Sequence, residues 1–244
     1  GSADMAIGNV TGSNIFNILL VLGACALFAP VVFTKSNVRR DIPICIAVSV
    51  ALLLMLLNGN LARWEGMLLL LCYMAIIYFS IKGGRQSDDA VEPMADFSWV
   101  KSGAMLVLGL CGLIYGADLT LESAVEIARD LGVSERVIAI TLLAGGTSLP
   151  ELAASLIAIL KGHGSMALGN VVGSNIANIL LILGVCSTAT PLTMGGVAMT
   201  DIYVCVAATF ILMLSALVIG RDKLTRIEGV LFVLCYVAYI YTLI

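Results

Sequence analysis

An internal repeat is the feature that most limits how this chain can fold. The segment GNVTGSNIFNILL at residues 8–20 returns as GNVVGSNIANILL at residues 169–181, an offset of 161 residues (169 minus 8). Weaker matches extend the repeat, because residues 41–45 resemble 201–205 and residues 65–73 resemble 228–236. Self-similarity of this kind indicates two structurally related halves within one chain.

The composition places these halves in a lipid bilayer. Hydrophobic residues make up 60% of the chain, charged residues 12%, and the mean hydropathy is +1.07, which leaves too little polar surface for a water-soluble globule. The apolar runs lack the two-residue alternation of strands and are long enough to cross about 30 Å of hydrocarbon as helices. We therefore predict an all-α polytopic membrane protein with eight spans, at residues 5–29, 42–58, 65–81, 99–117, 135–160, 165–189, 202–219 and 227–243.

The seven cysteines all fall within these spans and form no CxxC pair. We interpret them as small packing residues rather than disulfides or metal ligands. The composition predicts the lipid bilayer as the main partner. We expect no cofactor, no nucleic-acid partner and no obligatory protein partner.

Basic residues predict the orientation of the chain in the membrane. If the chain begins outside, the inner loops hold ten lysines and arginines and the outer loops hold three, at positions 63, 129 and 136. The positive-inside rule then puts both ends outside the cell membrane. The two copies of the repeated helix are the first and sixth spans. Because an odd number of crossings separates them, they run in opposite directions, and the repeat is inverted.

The repeat divides the chain into unequal parts. Residues 1–81 form a first repeat of three helices, residues 82–97 a cytoplasmic linker, and residues 98–244 a second repeat of five helices. The first two spans of the second repeat, within about residues 98–161, have no counterpart in the first. We therefore expect a natural protein with ten spans, of which this chain lacks the first two, and we expect exchange activity to need them.

A polar motif, GGTSLPE at residues 145–151, lies inside the otherwise apolar fifth span. A carboxylate at bilayer depth costs about 2.5 kcal/mol or more, so Glu151 should face a cation or a water-filled cavity. Thr147 and Ser148 precede it by four and three residues, which predicts two hydroxyls and a carboxylate on one side of a helix.

The backbone of the same motif should be irregular. Pro150 lacks the amide that would bond to the carbonyl of Gly146, and the paired glycines weaken the preceding turn. Backbone carbonyls from Ala144 to Thr147 then become available as ligands. Carboxylate, hydroxyl and carbonyl oxygens suit hard cations such as Ca²⁺ or Na⁺, not zinc or copper.

The repeated helices each carry a matching polar stripe with a spacing of four residues. These stripes consist of Asn9, Ser13 and Asn17 in the first copy and Asn170, Ser174 and Asn178 in the second. They could join helices by hydrogen bonds alone, but two copies that face a buried glutamate favour an ion site. Each copy also contains a GxxxG pair, at positions 8 and 12 and at positions 169 and 173, which predicts close helix contact there.

With these motifs the chain resembles the cation/Ca²⁺ exchanger superfamily, whose members carry two inverted repeats with GTSLPE on one helix and GNxxGSNxxN on the next. The resemblance covers the whole chain except the GTSLPE helix of the first repeat. It implies a ten-helix fold that binds ions at the membrane midplane, with eight of the helices present here.

The resemblance also implies a set of ion ligands. Glu151 would bind Ca²⁺ and Na⁺ alternately, assisted by Thr147, Ser148 and the carbonyl of Ala144. Facing them would be Ser174, Asn178, Ser13 and Asn17, and a second glutamate would lie in the missing segment. Some relatives carry an acidic residue at the position of Asn178, whereas positions 17 and 178 are both asparagine here. The site then holds two carboxylates rather than three, which leaves the driving ion open.

We therefore expect secondary active antiport of Na⁺ and Ca²⁺ by alternating access. Exchange of H⁺ for Ca²⁺ at the same site is the main alternative. A channel would use the same ligands but would not show saturable countertransport. An intramembrane hydrolase built on Ser148 is a remote alternative, because no histidine lies in any predicted span and no GxSxG motif is present.

Four acidic residues continue the fourth span beyond the membrane at a spacing of four: Asp118, Glu122, Glu126 and Asp130. A solvated helix face explains them, and a vestibule that attracts cations is the alternative interpretation. The single histidine, His163, lies beside Lys161, and we interpret it as a loop residue.

Overall fold

A computed structural model describes residues 4–82, 98–132, 144–195, 197–219 and 222–243 of the chain. Helices dominate the described residues. In chain order these are α1 (Asp4–Ile15), π1 (Phe16–Val21), α2 (Leu22–Phe28), π2 (Asn37–Asp41), α3 (Ile42–Met55), a 3₁₀ turn (Leu56–Asn58), α4 (Arg63–Lys82), α5 (Trp99–Asp130), α6 (Ala144–Gly146), α7 (Leu149–Leu160), α8 (Gly164–Ala177), π3 (Asn178–Leu183), α9 (Gly184–Ala189), α10 (Met199–Leu214), π4 (Ser215–Ile219) and α11 (Arg226–Leu243).

Among the described residues, seven helical segments are long and apolar enough to cross a membrane. They are Ala6–Phe28, Asn37–Asn58, Arg63–Lys82, Trp99–Asp130, Gly164–Ala189, Met199–Val218 and Arg226–Leu243. Each matches one of the eight predicted spans, and the all-helical membrane fold is confirmed. The remaining predicted span, 135–160, is described only from residue 144, where it consists of the short helices α6 and α7.

The outer helices expose large apolar side chains, as expected for a surface that faces lipid. Examples are Leu71 and Phe79 on α4, Leu108 on α5 and Leu234 on α11. The buried core lies around α1, π1 and their repeat equivalents α8 and π3, where Ile7, Ile18, Leu168 and Ile179 are fully buried. The two copies of the duplicated segment therefore lie at the centre of the molecule.

Four two-residue strands connect the loops of the two halves. β1 (Val31–Val32) pairs antiparallel with β4 (Lys223–Leu224), and β2 (Asn60–Leu61) pairs antiparallel with β3 (Leu192–Thr193). β1 and β3 occupy equivalent repeat positions, as do β2 and β4, so the two pairings mirror each other. Each pair joins the loop after the repeated helix of one half to the loop before the last helix of the other half.

Glycines allow two equivalent pairs of helices to pack closely. α2 packs against α11, where a Cβ added to Gly229 would lie 2.8 Å from the carbonyl oxygen of Gly23. α9 packs in the equivalent way against α4, where a Cβ added to Gly184 would lie 3.3 Å from the carbonyl oxygen of Gly66. The GxxxG prediction for the second copy finds no close contact within the described ranges, since no described atom lies within 4 Å of a Cβ added to Gly169 or Gly173, and it stays a prediction.

Two further buried carboxylates, Glu65 and Glu228, occupy equivalent positions in the first turns of α4 and α11. Glu65 Oε2 accepts a hydrogen bond from the amide of Ala62 at 2.7 Å. Glu228 Oε2 accepts from both the amide and the hydroxyl of Thr225 at 2.8 Å, and Glu228 Oε1 accepts from the hydroxyl of Ser215. These carboxylates cap the N-termini of their helices, and their bonding explains their burial.

The long helix α5 contains no buried residue, and its four acidic residues from Asp118 to Asp130 are exposed. Their exposure agrees with a solvated helix face. The vestibule interpretation stays a prediction. His163 is exposed and precedes α8, in agreement with its interpretation as a loop residue.

Candidate ion-binding site

The GTSLPE motif breaks its helix, as its proline and glycines predict. α6 ends at Gly146, α7 begins at Leu149, and Thr147 and Ser148 form a turn between them. The amide of Ser148 donates to the carbonyl of Gly145 at 2.9 Å, and the amide of Leu152 donates to the carbonyl of Ser148 at 3.0 Å to begin the next helix. The motif therefore presents a turn, not a helix face, to its neighbours.

This break corrects one detail of the sequence prediction. Thr147, Ser148 and Glu151 do not lie on one side of a continuous helix, because the first two precede α7. Thr147 is exposed, whereas Ser148 is only 1% exposed. Ala144 is the first residue of α6, and the role of its carbonyl as a ligand stays a prediction.

Thr147 contacts the polar stripe of the first repeated helix. Its Oγ1 lies 3.0 Å from the Oγ of Ser13 and donates to the Oδ1 of Asn9 at 3.4 Å. The approach is close, because a Cβ added to Gly145 would lie 2.6 Å from the ring of Phe16. Glycine at 145 thus allows the broken helix to pack against π1.

Glu151 contacts the polar stripe of the second repeated helix. Ser174 lies beside its carboxylate, and the side-chain amide of Asn170 donates to its backbone carbonyl at 3.4 Å and to the Oγ of Ser155 at 3.0 Å. The second carboxylate oxygen, Oε2, is buried and has no hydrogen-bond partner within the described part of the chain. The broken helix therefore lies between the two repeated helices and contacts both stripes.

The two repeated helices bind each other through four asparagines. Asn14 Nδ2 donates to the backbone carbonyl of Asn175 at 3.2 Å, and Asn175 Nδ2 donates to the backbone carbonyl of Asn14 at 3.1 Å. Asn17 Nδ2 donates to Asn175 Oδ1, and Asn178 Nδ2 donates to Asn14 Oδ1, both at 3.0 Å. Asn14 and Asn175 are equivalent repeat positions, as are Asn17 and Asn178, so the cluster has approximate two-fold symmetry. We call these four residues the asparagine cluster.

Asn17 and Asn178 were predicted from the sequence as site residues, whereas Asn14 and Asn175 were not. The signal was present, because both missed residues belong to the duplicated GSN triplet and directly follow Ser13 and Ser174. They lie outside the stripes spaced by four residues, on which the sequence prediction was based.

Two buried acceptors at this junction lack a donor in the described structure, namely Glu151 Oε2 and Asn17 Oδ1. They belong to packed neighbours, since α7 contacts π1 as well as α8. A buried acceptor without a partner costs about 1–3 kcal/mol, and more when it is charged. A bound cation is one kind of partner that such an oxygen can accept.

The oxygen atoms available as ligands fit a hard cation. Around the junction they belong to carboxylate, amide and hydroxyl groups. No group of three or more histidine, cysteine, aspartate or glutamate side chains that could hold a metal occurs within the described ranges. Such oxygen sets are typical of Ca²⁺ and Na⁺ sites.

Comparisons with known proteins agree with this chemistry. A family model described as "Sodium/calcium exchanger protein" matches residues 1–82 and 101–244. A protein of Alkalimonas amylolytica called "Putative antiporter CaxA" is 40% identical over 254 residues, which cover 100% of this chain and 79% of that protein. The "Sodium/calcium exchanger MaX1" of Methanosarcina acetivorans is 29% identical over 286 residues, which cover 99% of this chain and 81% of that protein.

A solved structure has the same fold. It is a structure of the sodium-calcium exchanger NCX_Mj, soaked with zero Na⁺ and Ca²⁺. It matches with a TM-score of 0.81 and 34% identity, and the match covers 100% of this chain and 78% of that chain.

Proposed function

This chain belongs to the sodium/calcium exchanger protein family and is a multi-pass membrane cation/Ca²⁺ antiporter, not an enzyme, and from that premise we propose that it exchanges Na⁺ for Ca²⁺ by alternating access. The remote hydrolase alternative is thereby excluded. The membrane is the cell membrane with both chain ends outside, and the inverted repeats are residues 1–81 and 98–244, joined by the cytoplasmic linker 82–97.

This proposal rests on two buried oxygens that have no donor among the described residues, Glu151 Oε2 and Asn17 Oδ1, on segments that pack together where the broken helix meets the repeated helices. A buried carboxylate is unfavourable unless a positive charge accompanies it. Either Ca²⁺ or Na⁺ supplies that charge, but the two cannot both occupy one carboxylate fully. Competition for Glu151 therefore couples the release of one ion to the binding of the other, as exchange requires.

We propose that the ligands come from three segments. The broken helix supplies Glu151, Thr147, Ser148 and the carbonyl of Ala144. The first repeated helix supplies Ser13 and Asn17, and the second supplies Ser174 and Asn178. Contacts between Thr147 and Ser13 and between Glu151 and Ser174 support this grouping, because they join the broken helix to each partner. No resident cofactor enters the proposal, since Ca²⁺ and Na⁺ are its transported substrates.

Exchange of H⁺ for Ca²⁺ is the second candidate. The neutral asparagines at positions 17 and 178 favour it, because they limit the negative charge available to balance several sodium ions. A proton on the site carboxylate would replace sodium without changing the other ligands. The two candidates therefore share a site and differ in the driving ion.

The test is Ca²⁺ uptake by the reconstituted full-length protein in proteoliposomes. Vesicles loaded with Na⁺ are compared with vesicles that have an acidic interior and no Na⁺. We expect uptake to follow the outward Na⁺ gradient and to fall to the level of protein-free vesicles in Glu151→Gln. Uptake driven only by the proton gradient would replace the sodium proposal with the proton-coupled one.

Glu65→Gln is the matched control for the loss of charge. Glu65 is also buried in the first turn of a helix, and glutamine at that position can keep the cap by accepting the amide of Ala62. We expect this variant to keep its uptake. If Glu151→Gln transported as well as Glu65→Gln, Glu151 would not be a ligand and the proposed site would be wrong.

A further inference from the structure

The asparagine cluster links the two repeated helices at the point where each becomes a π-helix. Asn14 and Asn175 are at most 1% exposed, Asn17 is fully buried and Asn178 is half-buried. Four hydrogen bonds of 3.0–3.2 Å connect them. Side-chain amides that are held on both sides in this way have one allowed orientation.

The orientation follows from donor and acceptor chemistry. A backbone carbonyl can only accept, so Asn14 must turn its Nδ2 toward the carbonyl of Asn175. Its Oδ1 then faces Asn178, which must donate a hydrogen bond from its own Nδ2. With its nitrogen engaged, Asn178 can present only its oxygen on the opposite side. The symmetric bonds of Asn175 impose the same orientation on Asn17.

We infer that Asn14 and Asn175 are positioning residues that hold the amides of Asn178 and Asn17 with oxygen, not nitrogen, toward the transported cation. This inference rests on the proposed ion site. A side-chain amide has similar size in its two orientations, but only its oxygen attracts a cation. Without the cluster, either orientation would be accessible, and the NH₂ group would oppose binding in one of them.

The burial of Asn17 supports the inference independently. Its nitrogen is engaged by Asn175, whereas its oxygen is buried and has no donor in the described structure. A rotation of the amide would give up the bond to Asn175 without a replacement. The cluster therefore maintains an acceptor in a position where, in the absence of a cation, it is unfavourable.

A double-mutant cycle tests this role. Asn14→Leu removes the acceptor for Asn178 while keeping similar volume, and Asn178→Asp replaces the amide by a carboxylate with oxygen on both sides. The readout is Ca²⁺ affinity, measured as Ca²⁺-dependent thermal stabilisation of the purified protein. In the native background, we expect Asn14→Leu to weaken Ca²⁺ binding about tenfold, the equivalent of one hydrogen bond. In the Asn178→Asp background, Asn14→Leu should not weaken Ca²⁺ binding, because the orientation of residue 178 no longer matters and the leucine removes the amide oxygen that would face the carboxylate.

Transport kinetics separate positioning from general structural damage. Asn14→Leu should raise the Ca²⁺ concentration for half-maximal uptake and leave the maximal rate within about twofold of native. Equal effects in both backgrounds, or a lower maximal rate with unchanged half-saturation, would show that the cluster only joins helices and would overturn the inference. If Asn14→Leu does not fold, the same cycle is run with Asn14→Ser, and the symmetric cycle pairs Asn175→Leu with Asn17→Asp.

Glu151→Gln in the same affinity measurement distinguishes the two ways to fail. If it abolishes Ca²⁺ binding while the asparagine cycle is additive, only the positioning role is wrong. If it leaves Ca²⁺ affinity unchanged, the ion site itself is misplaced.

Discussion

Replacing Gly229 by alanine tests how closely the last helix of the fold packs against the first repeat. A Cβ at this position would lie 2.8 Å from the carbonyl oxygen of Gly23 and 2.8 Å from the Cβ of Ala26. Gly169 is the matched control, because it is also helical but no described atom lies within 4 Å of its added Cβ. Gly229 makes a close helix contact in the structure, whereas Gly169 belongs to a GxxxG motif in the sequence. Comparing their alanine variants shows which of the two features predicts the effect on stability.

The expected magnitude follows from these distances. Carbon atoms normally approach to about 3.5–4.0 Å, so α2 and α11 must separate by about 1 Å to admit the methyl group. Overpacking of this kind costs about 1–3 kcal/mol. Both variants gain about 1 kcal/mol from the better helix propensity of alanine. Gly229→Ala should therefore be less stable than Gly169→Ala by the overpacking cost alone, about 1–3 kcal/mol.

The assay is thermal unfolding of the purified variants under one detergent condition. For a chain of this size, each kcal/mol shifts the unfolding temperature by roughly 2–4 °C. Gly169→Ala should unfold at or above the native temperature and Gly229→Ala below that of Gly169→Ala. Gly66→Ala, the repeat equivalent, should follow Gly229→Ala, since its Cβ would lie 2.8 Å from the amide nitrogen of Thr188. A lower unfolding temperature for Gly169→Ala than for Gly229→Ala would refute the packing argument.

Two predictions concern the ion site and its approach. Gly145→Ala should raise the Ca²⁺ concentration for half-maximal uptake, because its Cβ would lie 2.6 Å from the ring of Phe16, which packs edge-on against Tyr236 at 5.5 Å between centroids. Adding Phe16→Leu should restore part of the lost affinity. Unchanged uptake by Gly145→Ala would contradict the close contact. If the acidic face of α5 is a vestibule, Glu122→Gln with Glu126→Gln should lower apparent Ca²⁺ affinity more at low salt than at high salt, and equal effects at both would leave a solvated face as the explanation.

Local chemistry explains what the sequence could predict. Pro150 and its neighbouring glycines predicted a broken helix because a missing amide and weak helix propensity act within one turn. The internal repeat predicted which positions would be equivalent, and the paired strands and the glycine contacts follow that equivalence. The position of Glu151 in an apolar span indicated a polar environment, which Ser174 and Asn170 help to provide.

Tertiary contacts explain what the sequence could not predict. The GxxxG pattern at positions 169 and 173 records small residues but not which helix lies opposite, and the close crossings use Gly23, Gly66 and Gly229 instead. Asn14 and Asn175 are separated by 161 residues, and nothing in either local pattern specifies that they meet. Only the fold brings the two duplicated triplets into contact.

The π-helices that follow the asparagine cluster bear on the history of the chain. π1 begins at Phe16 and π3 begins at Asn178, within one residue of equivalent positions in the two copies. A π turn accommodates one residue more than an α turn, so it can arise by a single-residue insertion into a helix. The simplest ancestry has that insertion occur once, before the gene was duplicated. Both copies of the duplicated segment would then have carried the widened turn and the asparagines from the moment of duplication.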